Sequence, residues 1–135
     1  MKNREISVRS GELAENLVCK AFNCKSEQSI GYDVRTQNGY RAEVRSRVMY
    51  SDGKHPRLTL NRAKMEKSEI MFAIHFSRSN KVTEAVAIPT KHLSKLYEEY
   101  LQRDGSTAHI PWLKVVSHPS TRDVTKRVIA ADTLC

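Results

Sequence analysis

The stretch from Tyr32 to Arg47 carries two carboxylates, Asp33 and Glu43, among four arginines, Arg35, Arg41, Arg45 and Arg47. Carboxylate oxygens are the donors that Mg²⁺ and Mn²⁺ prefer, and Mg²⁺ is typically held by one or two carboxylates together with water and phosphate. Guanidinium groups hold phosphates through forked hydrogen bonds. Gathered on one surface, these residues could grip a divalent cation against a phosphate. The bland reading of the same residues is a solvated face on which Asp33 and Glu43 pair with Arg35, Arg41 and Arg45.

Which reading applies depends on the strands beneath. Gln37-Asn38-Gly39 is a hairpin signal between two alternating segments. Tyr32, Val34 and Thr36 share one face of the first strand, and Tyr40, Ala42 and Val44 one face of the second. A two-residue Asn38-Gly39 turn would pair Asp33 with Val44 and mix polar with apolar side chains. A three-residue loop, with Gly39 in the left-handed conformation, pairs Asp33 with Glu43 and Tyr32 with Val44. Only that register separates the polar set from the apolar one, so it is the expected register.

Other elements frame this hairpin. Ser10 reads as the N-cap of an amphipathic helix with Leu13, Ala14, Leu17, Val18, Ala21 and Phe22 on its apolar side. Residues 51 to 56 form a loop that either reaches a groove or turns in solvent, and Asn61 can cap a short helix running to Glu69. Residues 70 to 76 are nearly all apolar, which predicts a strand covered on both faces, with residues 84 to 88 as its neighbour. Thr90 can cap a second helix that buries Leu93, Leu96, Tyr97, Tyr100 and Leu101 and stops at Asp104-Gly105. Residues 113 to 116 suggest a further strand. The expected fold is α/β, a mixed sheet flanked by helices, in one domain over residues 1–116, followed by an extension over 117–135 that is helical or partly disordered.

Composition narrows the function classes. The chain has 135 residues, 39% hydrophobic and 28% charged, with 23 Lys plus Arg against 15 Asp plus Glu and a net charge of +8. No apolar run approaches the roughly 20 residues needed to span a bilayer, and the first residues lead into no secretory pattern, so no membrane partner and a cytoplasmic location are expected. Cys19, Cys24 and Cys135 have no metal-ligand spacing and read as core or helix-end thiols. From Arg35 to Lys64, eight basic residues (Arg35, Arg41, Arg45, Arg47, Lys54, Arg57, Arg62 and Lys64) stand against Glu43 and Asp52, so this stretch holds most of the excess charge. Such a cluster suits a polyanion, and a nucleic acid is the expected partner. Tyr40 and Tyr50 read as core or sheet-edge residues, or as platforms for bases.

Gly11-x-x-x-Glu15 on a first helix, Gly31-Tyr32-Asp33 entering a strand and Glu43-Val44-Arg45 on the next resemble the PD-(D/E)xK nuclease superfamily. The resemblance covers the first half of the chain and agrees with the order of elements from Ile70 to Leu101. It implies a restriction-endonuclease-like fold and an Mg²⁺- or Mn²⁺-dependent endonuclease acting on DNA. Asp33, Glu43 and the Val44 carbonyl would hold the metal, and Glu15, matching the helix glutamate, would add a water-mediated ligand or base. Tyr32 replaces the motif proline, and Arg45 replaces the motif lysine. Arginine can stabilise charge on phosphate or position water but does not readily accept a proton, so Lys64 would be the substitute amine, or the protein would bind nucleic acid with little or no cutting. A nuclease of this size cuts one strand per site, which implies a homodimer for double-strand cleavage.

Overall fold

The computed structural model describes residues 3–29 and 32–133; the side chains of residues 3–10, 26–29, 32, 33, 64 and 133 lie outside the description. The chain forms α1 (Asn3–Phe22), β1 (Lys25–Ser29), β2 (Tyr32–Arg35), β3 (Arg41–Val48), β4 (Leu58–Asn61), α2 (Arg62–Lys67), β5 (Ile70–Phe76) and β6 (Val82–Pro89). A 3-10 turn (Thr90–Leu93), α3 (Ser94–Glu99), β7 (Thr107–Ile110), α4 (Trp112–Val116), β8 (Arg122–Asp123) and α5 (Thr125–Thr133) complete it. One sheet has the order β1-β2-β3-β5-β6-β8, antiparallel except where β3 runs parallel to β5, and β4 with β7 makes a separate ribbon. The protein is thus mixed α/β, with helices flanking the sheet.

The hairpin adopts the expected register. Val34 pairs with Ala42 and Arg35 with Arg41, and Gly39, at φ 88°, turns the chain in the region that favours glycine. The Gly39 amide donates to the Thr36 carbonyl at 2.9 Å, and the Tyr40 amide donates to Thr36 Oγ1 at 3.0 Å. Val34, Ala42 and Val44 are buried with Phe72 and Ile74 beneath Ala14, Leu17 and Val18 of α1. The opposite face of β5, carrying Met71 and Ala73, is covered by Leu58 and Leu60 of β4, Ala108 and Ile110 of β7, Leu93, Tyr97, and Trp112 and Val115 of α4. Residues 70 to 76 are apolar throughout because each face meets its own core.

Four local expectations change. Helix α1 begins at Asn3, so Ser10 lies inside it: nothing before Ser10 breaks a helix, and its carbonyls serve the following amides better than a cap would. Thr90 does not cap, since Pro89 takes that position and the Thr90 hydroxyl donates to the Ser68 carbonyl at 2.6 Å. Residues 113 to 116 are helical rather than extended; Trp112 and Val115 are buried while Leu113 stands 74% exposed, the three-residue spacing of a helix started at Pro111. Strands β1, β4 and β7 carry too little apolar alternation to stand out in sequence. Beyond residue 116, β8 pairs with β6, and α5 buries Val128 and Ala131 in the core under α1, so the segment is part of the packed unit.

Asn61 caps α2 as expected, its Oδ1 accepting from the Ala63 amide at 2.9 Å. Asp104 fixes the turn after α3 by accepting from the amides of Ser106 and Thr107, both at 2.9 Å, which hold its carboxyl below the usual range. Cys19 and Cys24 are half-buried free thiols at the end of α1; burial, then the neighbouring Cys19, push the Cys24 thiol up to about 11. Cys135 lies outside the described residues.

Candidate functional site

Alternation along β3 sends Glu43, Arg45 and Arg47 to the face opposite α1, level with Met71, Ala73 and His75 of β5. Glu43 is 2% exposed, and Arg45 Nη1 lies 3.7 Å from its Oε1. A carboxylate so removed from water needs a compensating cation, and Arg45 supplies part of that charge. The strand register, carried one residue beyond Val34–Ala42, sets the Asp33 backbone across from Glu43. The Asp33 side chain lies outside the described residues, as does that of Lys64.

The expected metal donors therefore reduce, in what is described, to one buried carboxylate and the Val44 backbone, whose side chain is buried on the α1 face. Among the described residues no group of three His, Cys, Asp or Glu side chains gathers at metal-binding distance. Glu43 is an oxygen donor of the right kind for Mg²⁺ or Mn²⁺, and Asp33 would have to complete the pair. Glu15 is half-buried on α1, the helix that packs over the Ala42 and Val44 face of β3. Sequence periodicity placed Glu15 beside the apolar stripe but left open which sheet face that helix would cover.

The arginines and lysines divide into two groups. Arg35 Nη1 donates to the Gly39 carbonyl at 3.0 Å and braces the turn. Arg41 is engaged with Glu69, its backbone amide at 3.1 Å and its Nε at 3.2 Å from the same oxygen; these bonds hold the Glu69 carboxyl below its ordinary value. Arg62 sits over the Tyr97 ring at 5.2 Å and reaches Glu66 and Glu98, each at 3.9 Å. By contrast, Arg47, Lys54 and Arg57 converge on one cavity of about 440 Å³ with Tyr50, His55, Thr59 and His109. With Arg45 paired to Glu43, the one continuous basic stretch in the sequence thus becomes four separate structural duties and one basic hollow.

The loop between β3 and β4 is a fixed turn. The Tyr50 amide donates to the Lys54 carbonyl at 3.1 Å, the Gly53 amide to the Tyr50 carbonyl at 2.9 Å, and the Lys54 amide to Asp52 Oδ1 at 2.9 Å. This brings His55 Nδ1 to 2.9 Å from Nδ1 of the fully buried His75, so one ring donates and the other accepts. His75 stacks on Trp112 with ring centroids 3.7 Å apart, and Trp112 Nε1 donates to Glu84 Oε1 at 2.5 Å. Burial, then the positive charges of His55 and Arg47, push the His75 imidazole down to about 3. Sequence reasoning missed this cluster because its members are isolated histidines on different elements; the one available signal was a histidine inside the apolar run of β5. Tyr40 and Tyr50 are both exposed rather than core residues.

No helix among the described residues is long and apolar enough to cross a membrane. Comparison with known proteins returns no matching family model and no matching curated relative.

Proposed function

We propose that the protein is a divalent-metal-dependent endonuclease of DNA, of the PD-(D/E)xK type with a restriction-endonuclease-like fold, working in the cytoplasm. The observation that carries the reading is the hairpin register together with a buried Glu43 beside Arg45. Asp33 and Glu43 would hold Mg²⁺ or Mn²⁺ with the Val44 carbonyl, and the ion would supply Lewis acidity at the phosphate and a more acidic water. Arg45 offsets the charge of Glu43 in the resting protein and, turned outward, stabilises negative charge on the phosphate undergoing attack. The strand-parallel arrangement of β3 and β5 keeps Glu43 rigid, since Met71 beside it is held in the second core. Glu15, matching the family's helix glutamate, would add a water-mediated ligand or base from α1. Arg47, Lys54 and Arg57 contribute salt-dependent affinity for the backbone.

Incubation with supercoiled plasmid in Mg²⁺ or Mn²⁺, beside Asp33→Ala and Glu43→Ala, tests it. Nicking that needs metal and is lost in both variants supports the enzyme; wild-type protein that binds DNA in a salt-sensitive way but never nicks refutes it. The Glu43–Arg45 ion pair favours a second reading, a nucleic-acid-binding protein with little or no cleavage, because a permanently charged guanidinium occupies the place of the motif lysine. Arg45→Lys raises nicking under the first reading and leaves its absence unchanged under the second. Double-strand cutting requires two copies, and sedimentation shows whether a dimer forms.

A further inference from the structure

The basic hollow at the end of β3 is unlike the rest of the charged surface. Its three permanent cations come from three places, Arg47 at the end of β3, Lys54 in the tight turn and Arg57 before β4, and His109 joins them from β7. Among the described residues no carboxylate lines it. Asp52, in the same turn, accepts from the Lys54 backbone amide, and Glu84, level with His75 on β6, accepts from the Trp112 indole. Like charges brought into a concave site repel one another, and the fold bears that cost where an anion fills the site. Arg41 and Arg62 are matched with glutamates, whereas among the described residues Arg47, Lys54 and Arg57 form no ion pair.

His55, which lines the hollow, is held by a buried neighbour behind it. His75 is fully buried, and its Nε2 has no hydrogen-bond partner among the described residues, while its Nδ1 faces His55. His55 is thereby fixed in orientation, with Nε2 as the ring nitrogen not used in the pair. Burial first, and then the neighbouring His55 and Arg47, keep His75 from taking up a proton. Thr59 adds a hydroxyl.

We propose that this hollow binds a phosphate monoester, the terminal phosphate of a nucleotide or of a nucleic-acid strand, through Arg47, Lys54, Arg57 and the two accessible imidazoles, His55 and His109. Three permanent positive charges match a dianionic monoester better than the single charge of an internal diester. A cavity of about 440 Å³ lies in the size range of small-ligand sites and takes a phosphate together with the sugar that carries it. The phosphate chemistry stands on the hollow alone; the nucleotide carrier rests on the nucleic-acid reading given above. Arg47 lies four residues along β3 from Glu43, about 13 Å at the rise of an extended strand, so an end held here would direct the adjoining strand toward Glu43.

The test compares short single-stranded DNA bearing a 5′-phosphate, a 3′-phosphate or neither, by fluorescence anisotropy in EDTA, for the wild type and the Lys54→Gln/Arg57→Gln double variant. Both substituted residues are exposed, so the fold is expected to survive, and circular dichroism checks it. A phosphorylated end should bind about tenfold more tightly than the unphosphorylated strand, the advantage should vanish in the variant, and millimolar inorganic phosphate should abolish it in the wild type. Equal affinity for all three strands, an advantage that survives in the variant, or one that inorganic phosphate leaves untouched overturns the proposal. Because no metal is present, failure here is distinct from failure of plasmid nicking.

Discussion

His75 gives the protein a built-in sensitivity to acid that can be worked out before it is measured. An ordinary histidine titrates near 6.5, whereas this one, sealed under Trp112 and facing His55 and Arg47, is pushed down to about 3. The native protein therefore refuses a proton that the unfolded chain accepts. The resulting contribution to stability is complete above about pH 6.5 and is lost steadily as the pH falls, until the native imidazole also charges near pH 3. Between pH 7.5 and 5.0 the unfolded state gains about 2 kcal/mol from this one site, with a limiting slope of about 1.4 kcal/mol per pH unit. Across the whole interval from 6.5 to about 3 the loss approaches about 5 kcal/mol, a large part of the stability of an ordinary domain. Urea unfolding in phosphate-free buffers, for the wild type and His75→Gln, isolates the effect as a difference in slope rather than in absolute stability. Glu69, Asp104 and Asp123 are held below the ordinary carboxyl range, so their titration falls under the chosen window. Parallel stability curves for the two proteins from pH 7.5 to 5.0 would refute the assignment of a neutral, buried His75.

Three further outcomes follow from the packing. Trp112→Phe keeps a ring against His75 but removes the donor to Glu84, and should cost about 1.5 to 3 kcal/mol by urea unfolding. Gly39→Ala places a side chain at φ 88° where no heavy atom obstructs it, so its loss of about 1 to 2 kcal/mol is backbone strain alone; a smaller loss for Gly39→Asn would confirm the cause, and equal losses would exclude it. Cys24, with its thiol pushed up to about 11, presents about a hundredfold less thiolate at pH 8 than an unperturbed thiol and, since the more basic sulfur is also the better nucleophile, should react with iodoacetamide about tenfold more slowly, read by mass spectrometry of the modified peptide.

Much of the hairpin was legible in the residues themselves. The register was set by the demand that Val34, Ala42 and Val44 face one way, and a glycine stood where the turn needed a positive φ. The wholly apolar run of β5 announced a strand with a core on each side, and Asn61 announced the start of α2. Short elements were not legible. The four residues after Trp112, three of them apolar, suit a strand or a helical turn equally, and the choice fell to Pro111 and to the space left beside His75. The three-residue spacing of Trp112 and Val115 has meaning only once β6 and β7 form the wall that they fill.

The candidate site divides along the same line. By itself the sequence determined that Glu43, Arg45 and Arg47 share a face, because alternation along one strand is a local property of the backbone. It also determined that most of the excess positive charge lies between Arg35 and Lys64. Only the tertiary structure decided which of those cations are matched by glutamates, which face of the sheet α1 covers, and that His55 and His109 line a hollow with Arg47 while His75, stacked on Trp112, meets His55. Those are pairings between residues far apart in the chain, set by the packing of β4 and β7 over the sheet. No periodicity along a single segment encodes them, because the energy that selects them resides in the contact between segments.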